Sequence, residues 1–139
     1  MRLGLLNKLI GFVFGTVIFS FQITNARDIL SQVVFLVMSA HWNVFRQSLT
    51  NDKPPPGYPI LLQALWHDAK GDWHTAHNMI DNLDTSDAAW VHAYLHRREG
   101  DLSNADYWYR RANRSRPSKS LDEEITELVE FFKSSADNK

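Results

Sequence analysis

The sequence contains no cysteine. That absence excludes a disulfide frame, a cysteine-ligated zinc site and a thiol nucleophile. It fits a reducing compartment, and it fits an exported bacterial protein equally well. A dominant charge sign is also missing, because 15 Lys and Arg stand against 16 Asp and Glu, for a net charge of −1. No global field therefore draws the chain toward nucleic acid or a membrane surface. The usual catalytic signatures are absent too: no His-Glu-x-x-His, no nucleophile elbow, no phosphate loop, no framed carboxylate pair. The chain reads as a non-enzyme, with no cofactor and no metal assigned. Proline is sparse, and four of the five fall in residues 51–59, a linker that no helix can cross.

Long hydrophobic runs are few. The longest, residues 9–21, falls short of the ~20 apolar residues that span a bilayer. Arg2 and Lys8 before it, and Thr24-Asn25-Ala26 after it, make residues 1–26 read as a secretory signal. A second reading starts translation at Met38 and leaves residues 1–37 outside the native protein. The first reading implies export or membrane tethering through the leader, and the second implies the cytoplasm. The chain then divides into a leader (1–37), a short helix with the proline-rich linker (38–59), a helical domain (60–133) and a frayed tail (134–139).

What is present is a packed-core composition, 44% hydrophobic and 22% charged over 139 residues, with five Trp, four Tyr and eight Phe. That is enough for one domain and argues against wholesale disorder. Within it the chain repeats itself at an offset of 29 residues. Ala64, Gly71-Asp72, Trp73, Ala76, Ile80 and Leu83 recur as Ala93, Gly100-Asp101, Leu102, Ala105, Tyr109 and Ala112. The spacing predicts helices over 60–69, 73–83, 88–98 and 102–113, folded into two hairpins at Gly71 and Gly100. Leu102, Ala105, Tyr109 and Ala112 are the expected buried set of the fourth helix. Ser86 or Asp87 is the expected cap of the third, and Asp72 and Asp101 cap the second helices. Ser120 with Glu123 forms a capping box that opens a last helix to about residue 133. Its apolar stripe is Leu121, Ile125, Leu128, Val129 and Phe132. Upstream, residues 41–49 form a short helix with Trp42, Phe45 and Leu49 on one face.

On Ala93, Gly100-Asp101-Leu102, Ala105, Tyr109, Ala112 and Pro117 the chain resembles the tetratricopeptide repeat family. Ala64, Gly71-Asp72-Trp73, Ala76, Ile80 and Leu83 follow the pattern less fully. The offset is shorter than the family's usual 34, and His67 and His96 stand where an aromatic is common. Residues 88–112 are also similar to short bacterial proteins that carry the same repeat-like core. The resemblance implies an all-α array of antiparallel hairpins with a C-terminal capping helix, and no activity.

Arrays of this kind bind a partner, so the chain reads as a module for a protein or peptide segment, or for a second copy of itself. In the resembling fold the groove is formed by the first helix of each pair. Trp66, His67, Trp90, Tyr94, His96 and Arg97 are the expected lining, since aromatics and arginine anchor peptides. Arg98, Arg110, Arg111 and Arg114 form a basic patch interleaved with Tyr107 and Trp108. That block supports an alternative, RNA or phosphate binding, although acidic runs on both sides can neutralise it and make nucleic acid the weaker expectation. His92 and His96, four residues apart with Asp68 or Asp72 as a third ligand, support a second alternative, a metal-dependent enzyme. A plainer role for His67 and His96 is packing between the helices of each hairpin.

Overall fold

The computed structural model describes residues 26–137. Among them the fold is all-α: α1 (Ala26–Ser48), α2 (Ile60–Ala69), α3 (Trp73–Ile80), α4 (Ser86–Glu99), α5 (Leu102–Arg111) and α6 (Leu121–Asp137). The signal-like residues 1–25 lie outside the described residues. The chain separates into two units, Met1–Val37 and Met38–Lys139. In the first, the described residues are helical, and Ile29, Leu30 and Val33 are exposed. Among the described residues no helix is long and apolar enough to cross a membrane.

The second unit is built on two tight helical corners. Gly71 has φ +87° and Gly100 φ +92°, the left-handed region that a Cβ disfavours. At the first corner the Asp72 amide donates to the His67 carbonyl (2.9 Å) and the Gly71 amide to the Asp68 carbonyl (2.8 Å). These two bonds close the end of α2 in a Schellman motif. Asp72 and Asp101 then cap the following helices by accepting from the Thr75 and Asn104 amides. The α2–α3 and α4–α5 pairs are the most extensive helix contacts of the structure.

Five boundaries and one buried position differ from the periodicity. The last helix runs on to Asp137 instead of ending near residue 133, so residues 134–137 of the expected frayed tail are helical. Thr85, not Ser86 or Asp87, caps α4 by accepting from the Ala88 amide. The second helix of the pattern is shorter than expected, since α3 stops at Ile80 and the Leu83 amide turns back to the Ile80 carbonyl. The fourth helix stops at Arg111, because Asn113 adopts φ +55° and Arg114 donates back to the Tyr109 carbonyl. The stop is therefore local, six residues ahead of Pro117. The short helix expected over 41–49 is the end of the longer α1. Leu102, expected in the core, is 46% exposed. Its counterpart Trp73 is covered by α4, whereas α6 packs on α2 and α4 and leaves the start of α5 open.

The position of α6 governs everything that follows. Its capping box is formed: the Ser120 amide and hydroxyl both donate to Glu123, and the Glu123 amide donates to the Ser120 hydroxyl. Ile125, Leu128, Val129 and Phe132 are buried against the first helices of the two hairpins. A fully buried Leu or Phe contributes about 2–3 kcal/mol over its exposed state. The end of α2 is tied to residues 48–51, since Ser48 accepts from the Trp66 indole and the Leu49 and Asn51 carbonyls accept from Lys70. Phe45 is buried and stacks between Trp42 and Tyr58, at 5.7 and 6.4 Å between ring centroids. Glu130 of α6 accepts from the Trp42 amide and faces His41 Nδ1, both at 3.0 Å.

Candidate functional site

The groove expected from the first helices is filled by the chain's own α6. Trp66, Trp90, Tyr94 and His96 are buried, with Trp90 bordering only a small cleft of about 210 Å³, and this corrects their assignment as the lining of a partner groove. Trp66 donates from its indole to Ser48. Trp90 packs edge-on to Phe131 at 5.5 Å, and the Arg114 guanidinium lies over its ring at 3.5 Å. Tyr94 lies with the buried Asp68 and Arg98, and burial raises its hydroxyl well above the ordinary phenolic range. His67 is half-buried at the edge of Trp66, 5.2 Å away. Arg97 is spent internally. It donates from Nη1 to Glu124 and from Nη2 to the Lys119 carbonyl.

The basic block is divided in the same way. Arg98 pairs with Asp68, whose carboxyl is still pushed up by burial in spite of that guanidinium. Arg111 pairs with Asp84 at 2.7 Å, and Arg116 with Asp106 at 3.1 Å. Among the described residues Arg110 makes no ion pair and is exposed. The outer face of α5 therefore carries a small aromatic–arginine surface. Tyr107 is 46% exposed and stands edge-on to Trp108 at 5.4 Å. The Arg111 guanidinium lies over Trp108 at 5.1 Å and reaches the Tyr107 hydroxyl at 3.5 Å.

Between the hairpins lies a second cluster, of imidazoles and indoles. Trp73 stacks on His77 (4.8 Å), and Trp108 stacks on His92 (4.1 Å, 10° between planes). His77 stands edge-on to His92 at 4.9 Å and to His96 at 5.3 Å. His96 is satisfied by Glu99, Nδ1 to Oε1 at 2.7 Å, and packs against α3 and α5, wider than the single hairpin expected of it. His92 is fully buried and neither ring nitrogen has a hydrogen-bond partner. Burial, and then His77 and His96, pull its pKa down to about 4. Burial also lowers that of His77.

The ligand set expected for a metal does not assemble. His92 and His96 stack in parallel 6.3 Å apart, Asp68 is held by Arg98, and Asp72 caps α3. Instead two other groups bring one ligand atom each within 4.8 Å of one another: His77, Asp81 and His92, and His96, Glu99 and Asp101, the second resting on two exposed acids. Asp81 falls inside the helix expected over 73–83, where no role is assigned to it. The signal that could have found it is its position four residues after His77, on the same face of a helical turn. An open cleft of about 340 Å³ is lined by Asp68, Gly71, Trp73, His74, Arg98 and Glu99. No family model, curated protein or solved structure matches the chain. The functional reading rests on this geometry.

Proposed function

We propose that the chain is a non-catalytic, tetratricopeptide-like interaction module that binds a protein segment, or a second copy of itself, through the outer face of α5. The observation that carries this reading is the exposed Tyr107 with Trp108 and Arg111 locked beside it. Tyr, Trp and Arg are the residue types that dominate binding energy at protein interfaces. Held by stacking and by Asp84, they lose little rotamer freedom on binding. The remaining free guanidinium of the helix, Arg110, favours a partner segment that carries carboxylates.

The RNA or phosphate alternative is weaker on the same geometry. Arg97, Arg98, Arg111 and Arg116 each face a carboxylate of this chain, which cancels most of the block's charge. Counterion release needs several unpaired cations in a row. Among the described residues an enzymatic reading finds no nucleophile and base framed in a pocket.

The test is a photo-crosslinking amino acid placed at Tyr107, with Asn78 on α3 as the control position, in cells that make the protein. Adducts at 107 that are missing at 78 support the α5 face. Equal yields at both positions, or none at 107, overturn it.

A further inference from the structure

We propose that His77, Asp81 and His92 form a binding site for a divalent first-row transition ion of the zinc class, seated between the two hairpins. His77 and Asp81 lie one helical turn apart at the end of α3, and His92 faces them from α4. Their ligand atoms lie within 4.8 Å of one another, which small side-chain rotations close to the ~2.0–2.2 Å bonds of zinc to imidazole and carboxylate. Two imidazoles with one carboxylate are the donor set that suits zinc, copper, nickel and iron, and not the all-oxygen set of calcium or magnesium.

The independent observation is His92 itself. A fully buried imidazole always carries one nitrogen with a proton and one with a lone pair, and here both are unpartnered. Buried polar groups are nearly always satisfied, and an orphan calls for an explanation. A metal ion accepts the lone pair. The Ala88 backbone, one turn earlier on α4, lies near the ring without hydrogen-bond geometry and is the group to which the other nitrogen turns on binding.

The surroundings fit a held ion. Trp73 and Trp108 wall the two imidazoles by stacking, which leaves them only the small rotations that closing the site requires. His96, next in the cluster, is already committed to Glu99. The exposed Asp81 leaves one side open, so three protein ligands and one solvent position make up the coordination shell. The bound ion ties α3 to α4 and stabilises the fold by mass action.

The experiment uses tag-free full-length protein stripped with chelator, then titrated with Zn²⁺ by calorimetry and with Co²⁺ by visible absorption. One ion per chain is expected, with a melting temperature that rises with metal concentration. His77→Gln and Asp81→Asn, both at accessible positions, weaken binding at least tenfold while the apo protein keeps its melting temperature. His96→Gln leaves the affinity unchanged. The absence of stoichiometric binding by either ion overturns the proposal, and so does affinity that survives both His77→Gln and Asp81→Asn. The crosslinking outcome at Tyr107 is independent of either result.

Discussion

Arg97 on α4 and Glu124 on α6, 27 residues apart in the chain, meet through Nη1 and Oε2 with the carboxylate fully buried. The second carboxylate oxygen accepts from the Tyr109 hydroxyl of α5. One acid thus joins three helices, and its two oxygens are both used.

Removing that acid is expected to be severe. Glu124→Ala leaves the Arg97 guanidinium and the Tyr109 hydroxyl without their partner, at a cost of about 3–5 kcal/mol. Replacing both members, Arg97→Met with Glu124→Leu, recovers most of the loss because no buried charge is left unpaired. Urea denaturation of the two variants and the wild type, compared at equal m-values, measures the difference.

The glycine corners give a prediction of a different kind. A Cβ at Gly71 or Gly100 meets no atom within 4 Å, so any cost of Gly→Ala is conformational and not steric. The left-handed backbone there disfavours alanine by about 1–2 kcal/mol at each corner. The two sites lie on different hairpins, so the effects add in the double variant. Thermal melting checks both the size and the additivity.

His92 makes the metal-free fold sensitive to acid. Its pKa is about 4 in the folded chain and near 6.5 when unfolded, so between those values the unfolded state binds more protons. Stability therefore holds above pH ~6.5, falls as pH drops, and levels off below pH ~4, with a total loss of about 3 kcal/mol. His77 and His96 face the ring and deepen the effect, and Asp81 opposes it. His92→Phe is expected to flatten this part of the profile, measured by urea denaturation in the presence of chelator.

Local chemistry was readable from the sequence. The two left-handed glycines, the Asp72 and Asp101 caps, the Ser120–Glu123 box and the α6 stripe all depend on residues within a few positions of one another. What covers an apolar face is decided elsewhere in the chain. Periodicity marks Trp90 and Tyr94 as a large aromatic surface on α4, but nothing local says that α6 lies across it. For the same reason the partners of Arg97 and Arg98 could be guessed only as a class of nearby acids. Asp68, legible as a possible metal ligand, pairs with Arg98. His92 was legible as a possible ligand from its spacing to His96, whereas its meeting with Asp81 depends on how α3 ends.

The aromatic residues of the helical hairpins are divided between a closed interior, with Trp66, Trp90 and Tyr94, and the open face of α5, with Tyr107. Hydroxyl-radical footprinting read by mass spectrometry measures that division directly. Tyr107 is expected to be oxidised readily, with Trp66, Trp90 and Tyr94 strongly protected in the same sample. Oxidation of Trp66, Trp90 and Tyr94 at the rate of Tyr107 would contradict it, because the first-helix groove would then be open and α6 would not occupy it.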